Sequence, residues 1–340
     1  MKLLIVTQVV DINHPVLGFF HRWIIEFAKH VEHLHVIALQ VGKHDFPENV
    51  TVHSLGKEDG VSTFEYLRRF YSYVWKYRNE YDHVFVHMNQ IYVLLGIFLW
   101  NGLKKKVFLW YMHRSVTTSL KFAHTFVDGV ISASKESFRI KSKKLHIVGH
   151  GIDTNLFTSI PKKEDEVLKV LSVGRIAPVK QIEVLIAAVL NCKNSTLSII
   201  GAAITKADIT YQESLQKVPN SKISFIGAKT QEELPAFYQK ADVFVNTSNT
   251  GSIDKVVLEA MSTGTLVVST NEAFKDMFST LPYCAYVEEH NVLKLTETLQ
   301  EIKEMPYKER AILEMQLRDQ VIQNHSLPKL IPKILALYEK

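Results

Sequence analysis

The chain has 340 residues, 46% of them apolar and 22% charged, and a formal net charge of +5. That length predicts two domains, and that composition excludes a disordered, collagenous or disulfide-stapled protein. Two cysteines, Cys192 and Cys284, are too few for a disulfide framework and have no zinc-ligand spacing, so the reading is a cytoplasmic protein.

The first residues, Met1 to Val6, begin like a signal peptide, but Asp11, Asn13, His14 and Pro15 end the apolar run too early. Short β-branched runs then alternate with longer helix-like segments. Strands are predicted at 2–7, 35–39, 50–55, 83–87, 106–110, 129–132 and 145–148. A second set follows at 168–173, 196–200, 223–226, 242–245, 266–269 and 285–287. Helical periodicity fills gaps at 20–30, 62–77, 181–190, 231–240, 293–303 and 327–338. The apolar stretch 91–100 is too short to span a bilayer and reads as a buried helix between two strands. A charged, turn-rich stretch at 158–166 reads as the linker. The fold class is α/β, with two doubly wound, Rossmann-like domains: 1–157, and 165–325.

Charge is uneven. Residues 1–155 carry a net charge of +6 and thirteen of the fifteen histidines, whereas residues 156–340 carry −1. A basic first half suits an anionic membrane surface or an anionic substrate. Nucleic acid is not expected, because no aromatics interleave with the basic runs and no nucleic-acid module is recognisable.

In doubly wound sheets, ligands bind beyond the carboxyl ends of the strands. In the first half those ends carry Gly18, His87 with Asn89, His113 with Arg114, Ser134, and the Gly149-His150-Gly151 run. In the second they carry Gly174-Arg175, Gly201, Gly227, Thr247-Ser248 and the loop opening at Gly251. Glycine amides and cations on two facing edges would make a cleft for a phosphorylated ligand. Arg175 and Lys180 could bear on one anion. The loop Gly251-Ser252-Ile253-Asp254-Lys255 leads into a short helix, whose amino terminus favours anions. Asp254 reads as the N-cap of that helix. Glu259, inside the same apolar helix, is a charge that needs a partner.

Together, Gly174-Arg175…Lys180, Ala241-Asp-Val-Phe-Val-Asn-Thr-Ser248 and Val257-Leu-Glu-Ala-Met-Ser-Thr-Gly264 resemble the donor half of glycosyltransferase family 4. Gly149-His-Gly-Ile-Asp-Thr-Asn-Leu-Phe157 resembles that family's domain-junction segment. The resemblance implies the GT-B fold, with a terminal helix at about 326–340 crossing back to the first domain. It implies retaining transfer of a hexose-type sugar from a nucleotide-diphospho-sugar to a glycan or lipid-linked acceptor, without metal or other cofactor. Arg175 and Lys180 would hold the diphosphate, Glu259 the ribose, and the amides of Ser252, Ile253, Asp254 and Lys255 the diphosphate or sugar. Gly18 would let the first loop approach the donor, Gly227 would flank the base, and His113 would meet the transferred sugar. His87 and Asn89 are candidate acceptor or sugar contacts, and the inner membrane face is a candidate partner of the basic domain. One position departs from the family pattern: Gly251 stands where a sugar-binding glutamate is usual. Two alternatives follow, a GT-B nucleotide-sugar epimerase and a non-catalytic glycosyltransferase-like binding protein.

Overall fold

The computed structural model describes residues 1–162, 165–217, 220–248, 251–279 and 285–339. Cys284, and Lys163 and Glu164 of the predicted linker, lie outside the described residues. The chain divides into unit 1, Met1–Gly151 with Leu327–Lys340, and unit 2, Ile152–Ser326. Residues 152–157 therefore sit in unit 2, where the Ile152 amide donates to the His325 carbonyl at 2.8 Å and Phe157 joins the core.

Unit 1 is a seven-stranded sheet built from β1 (Lys2–Val10), β2 (His33–Val41), β3 (Val50–Ser54), β4 (His83–His87), β5 (Lys106–Trp110), β6 (Gly129–Ser132) and β7 (Leu145–Ile147). Its order is β3-β2-β1-β4-β5-β6-β7, with every pairing parallel. The helices are α1 (Phe19–Ala28), α2 (Thr63–Lys76), α3 (Gln90–Gly102) and α4 (Thr118–Phe126). Side chains of Ser62, Asn89 and Thr117 accept amide hydrogen bonds at the starts of α2, α3 and α4, satisfying donors that no helical carbonyl can reach.

Alternate residues of each strand face opposite layers. Leu3, Ile5 and Phe85 pack with Phe20, Trp23 and Phe27 of α1; Leu4, Val6 and Val84 pack with Phe70 and Val74 of α2 and with Ile97 and Trp100 of α3. Helix α3 buries a stripe, Tyr92, Val93, Gly96, Ile97 and Trp100, and is not buried all round as expected, since Phe98 is 65% exposed. Gly96 sits in that stripe because a Cβ there would lie 2.4 Å from the Trp100 ring.

Unit 2 is a six-stranded sheet. Its strands are β8 (Leu168–Val173), β9 (Ser195–Ile200), β10 (Ile223–Gly227), β11 (Val243–Asn246), β12 (Leu266–Ser269) and β13 (Ala285–Tyr286). Its helices are α5 (Ile182–Asn191), α6 (Lys206–Gln216), α7 (Leu234–Lys240), α8 (Lys255–Ser262), α9 (Lys275–Ser279), α10 (Val292–Glu304) and α11 (Tyr307–Asn324). The order β10-β9-β8-β11-β12-β13 repeats the winding of the first six strands of unit 1. Helix α11 is absent from the predicted elements. Its buried residues Arg310, Leu313, Leu317 and Val321 have helical spacing, but exposed Ile312 and Met315 blur the stripe.

Two ion pairs are buried beneath α11. Arg310 Nη1 lies 3.3 Å from Asp242 Oδ1, whose other oxygen accepts the Lys169 amide at 2.8 Å. Lys162 Nζ lies 3.4 Å from Glu314 Oε1. Burial lowers the Lys162 pKa and raises that of Glu314.

The last helix, α12 (Leu327–Leu335), is part of unit 1 and packs against α1, with Leu327, Leu330, Ile331 and Ile334 buried. Beyond it the Tyr338 hydroxyl donates to the Val84 carbonyl at 2.8 Å, and Lys106 Nζ donates to the Tyr338 carbonyl at 2.9 Å. Among the described residues no helix is long and apolar enough to cross a membrane.

Candidate functional site

The strand order of unit 2 reverses between β8 and β11, and their carboxyl ends flank a small, open hollow. Such switch points are where open α/β sheets bind ligands. Val173, Gly174, Arg175, Lys180, Asn246 and Thr247 line it. Glycine is needed at the neighbouring end of β9: Gly201 has φ +145° and a Cβ there would lie 1.8 Å from the Gly174 carbonyl oxygen. The two strand ends therefore meet backbone to backbone beside the hollow.

A 3₁₀ turn, Pro178–Lys180, brings Lys180 back over the hollow. The Thr247 hydroxyl donates to the Lys180 carbonyl at 2.6 Å, which fixes that turn to the end of β11. Lys180 Nζ then donates to Ser248 Oγ at 3.1 Å and to Asp254 Oδ1 at 3.3 Å. Asp254 is held in turn by the side-chain amides of Asn246 (2.8 Å) and Asn271 (3.1 Å) on Oδ2. Asp254 does occupy the N-cap position of α8, but its side chain makes no capping bond. The expected N-cap role gives way because two amides and an ammonium outbid one backbone N–H for the carboxylate.

Arg175 is more open, with 46% of its side chain exposed and Nε 3.9 Å from Asp208 Oδ2. Asp208 is already engaged in the capping box of α6 with Thr205, and backbone hydrogen bonds hold its pKa low. Asp208 is thus fixed by uncharged donors and Asp254 by Lys180 and two amides, which leaves Arg175 able to turn its fork toward an anion.

Glu259 lies inside the unit rather than at the edge of the hollow. It is 0% exposed; Lys255 Nζ lies 2.7 Å from Oε1 and the Tyr238 hydroxyl donates to Oε2 at 3.2 Å. The charge has the partner it required, one helical turn earlier in sequence. Lys255 Nζ also donates to Gln231 at 3.0 Å. The Ile253 side chain is buried in the core, and the Ser252 carbonyl accepts from Asn271 at 2.8 Å. Gly251 has φ +63°, a conformation in which glutamate would be strained, so glycine there has a backbone reason. Gly227, with φ +84°, has open space where a Cβ would be.

In unit 1 the strand-end residues separate. His87 is 1% exposed, stacked on Phe20 at 3.7 Å, and its Nδ1 lies 3.0 Å from Thr7 Oγ1. Burial pushes its pKa down to about 3, so the ring is neutral and part of the core. The expected ligand-facing role fails because His87 shares the strand face of Phe85, under α1. Asn89 spends its carbonyl on the Ile91 amide, at 3.0 Å, as the cap of α3. Between them Met88 has φ +66°, and the Asn89 amide reaches back to the His87 carbonyl at 2.8 Å. That is a strained γ-turn at the switch point of the sheet. Gly18 is buried, and a Cβ there would lie 2.7 Å from the His14 carbonyl, so the loop's own fold accounts for the glycine. His113 is exposed, three residues beyond β5, with its ring edge-on to Tyr111.

Sequence reasoning did not single out Asn246, Asn271 or Tyr238. Asn246 ends β11 and Asn271 follows β12, so the strand-end rule that found Thr247 and Ser248 could have found both. Nothing local marks Tyr238, which reaches Glu259 from another helix.

This unit is also where similarity to known proteins concentrates. Residues 167–303 match the family model described as Glycosyl transferases group 1. Mannosylfructose-phosphate synthase of Agrobacterium fabrum is 27% identical over 155 residues, which is 40% of this chain and 34% of the relative. Sulfoquinovosyl transferase SQD2 of Arabidopsis thaliana is 27% identical over 170 residues, 47% of this chain and 31% of the relative. The chain thus spans about a third of the length of the curated relatives it matches. Over the whole fold it is similar to Anabaena HepE solved with UDP (TM-score 0.80, 16% identity, 100% of both chains). It is equally similar to sucrose-phosphate synthase of Thermosynechococcus elongatus (TM-score 0.82, 16% identity, 100% of this chain and 98% of the other). The fold is GT-B, and the second unit carries the sequence similarity to glycosyltransferases.

Proposed function

We propose that the protein is a retaining glycosyltransferase that moves a hexose-type sugar from a nucleotide-diphospho-sugar to a glycan or lipid-linked acceptor. The observation that carries this reading is the Arg175–Lys180 pair lining the hollow at the ends of β8 and β11 in unit 2. Two cations beside main-chain amides suit a diphosphate. The UDP bound in HepE makes UDP the first nucleotide to try.

In this reading Arg175 and Lys180 take the charge that builds on the departing diphosphate, so a metal ion is not required. Among the described residues lining the hollow there is no carboxylate to serve as a nucleophile. Retention then proceeds on one face of the sugar, with the leaving phosphate oxygen accepting the acceptor's proton as the new glycosidic bond forms. His113 contacts the transferred sugar, and Gly227 leaves room for the base. Ribose binding by Glu259 requires its carboxylate, fully buried beside Lys255 and Tyr238, to become accessible. That requirement, with Gly251 in place of a glutamate, is what favours the second reading, a non-catalytic nucleotide-sugar binder.

One panel separates them. UDP-sugars should raise the melting temperature of the protein, since a ligand of the native state stabilises it, and acceptor-free incubation should leave the sugar's configuration unchanged. Slow hydrolysis with no epimer supports the transferase; binding with no turnover under any acceptor supports the binder; no shift with any nucleotide-sugar overturns both.

Membrane contact is proposed for unit 1. Phe64 and Trp75 on α2, Phe98 on α3 and Phe122 on α4 are exposed; Arg78 lies over the Trp75 ring at 4.4 Å, and Arg68, Lys104 and Lys121 are within six residues of these aromatics in sequence. Aromatic and basic side chains together favour an anionic interface. The protein should sediment with phosphatidylglycerol vesicles and release them in high salt; equal partition onto neutral vesicles, or none onto either, refutes the contact.

A further inference from the structure

At the opposite end of the unit 1 sheet lies a histidine cluster that the transferase reading does not use. His33 and His35, two apart on β2, share a face. Glu80, just ahead of β4, places Oε2 3.3 Å from His35 Nε2. One ligand atom each from His33, His35 and Glu80 all lie within 4.8 Å of one another. The His35 side chain is 2% exposed, and its Nε2 is buried with Glu80 Oε2 as its near polar neighbour.

We propose that His33, His35 and Glu80 form a structural binding site for a tetrahedral divalent ion of the zinc class. Two imidazoles and one carboxylate suit Zn²⁺, Co²⁺ or Ni²⁺, and offer too few oxygens for Ca²⁺ or Mg²⁺. Ligand bonds of about 2.0–2.1 Å put neighbouring donors of a tetrahedron about 3.3 Å apart, the separation His35 and Glu80 already have. His33, half-buried at the start of β2, closes the remaining gap by side-chain rotation.

A second layer is in place. His53 on β3 sets its Nε2 3.0 Å from His35 Nδ1. When His35 Nδ1–H donates to His53, the His35 Nε2 lone pair is left for the ion, the arrangement by which metal-bound histidines are oriented. The His53 ring is sandwiched by Tyr73 and Tyr77, with centroids at 4.9 and 4.5 Å, which holds its plane. The fourth position is left to water. The ion would tie β2 to the connection between α2 and β4. It lies near the amino ends of the strands, whereas ligands of such sheets bind at the carboxyl ends, so its role is stability and not chemistry.

The test does not depend on any transferase activity. Chelator-treated full-length protein is titrated with Co²⁺ alone, then with Zn²⁺. One equivalent of Co²⁺ should give the visible absorption of a four- or five-coordinate ion, Zn²⁺ should displace it, and Zn²⁺ should raise the melting temperature. Glu80→Gln, at a side chain that is more than half exposed, and His33→Ala should each weaken binding at least tenfold, while His44→Ala, at an exposed histidine elsewhere, should not. Binding weaker than about 100 µM, or tight binding unchanged in both site variants, overturns the proposal.

Discussion

Lys180→Ala should lower kcat/KM for sugar transfer about 10²- to 10³-fold, the usual cost of removing one preorganised charge from a developing oxyanion. The fold should survive, because Asp254 keeps the amides of Asn246 and Asn271 when the ammonium is gone. Lys180 is tied to Ser248 and Asp254 and only 19% exposed, so it is already placed when the donor arrives, and little order is lost on binding. Arg175→Lys should also lose activity, since a point charge cannot reproduce a bidentate fork. Steady-state kinetics on both variants, with melting temperatures as the control for folding, decides the matter. Wild-type kcat/KM in Lys180→Ala would remove the diphosphate site from this hollow.

Arg310→Ala should destabilise unit 2 by about 3–5 kcal/mol, because it strands the buried Asp242 carboxylate without its cation. Asp242 cannot turn to water: it immediately precedes β11 and its second oxygen holds the Lys169 amide at the start of β8. These are the two strands whose far ends form the hollow, so the ion pair fixes their spacing from the other end. Replacing both partners, Arg310→Met with Asp242→Asn, should restore part of the loss, since no lone charge is then buried. Denaturant unfolding of the single and double variants measures both. A loss under about 1 kcal/mol in Arg310→Ala would mean that water reaches Asp242.

Most of the fold was legible because its signals are local. The strand at 83–87 and those at 106–110, 129–132, 168–173 and 266–269 were read to the residue, each a compact β-branched or aromatic run. Strand β1 runs three residues further than predicted, because Val9 and Val10 pair with Gln40 and Val41 past a polar Gln8. The site was legible in part, for the same reason. Gly174, Arg175 and Lys180 fall where a strand-end rule puts them. Asp254 was misjudged because its position relative to α8 is visible in sequence, whereas the asparagines that claim it come from the ends of β11 and β12. The Lys255–Glu259 pair could be read from its spacing of four; the Tyr238 hydroxyl could not. His87 shows the limit of reading position without direction. Its place at a strand end suggested a ligand, but its parity with Phe85 already assigned it to the inner face.

The placement of α12 bears on the order in which the protein can be made. Unit 1 begins at Met1, but its α1 layer is closed by residues that emerge from the ribosome after all of unit 2. Tyr338 and Val84, which meet in the finished sheet, are separated by 254 positions. During synthesis the side chains of Phe20, Trp23 and Phe108 must therefore wait, partly uncovered, while Ile152–Ser326 completes a sheet whose strands all come from that segment. Unit 2 can mature on the nascent chain, and unit 1 becomes native last.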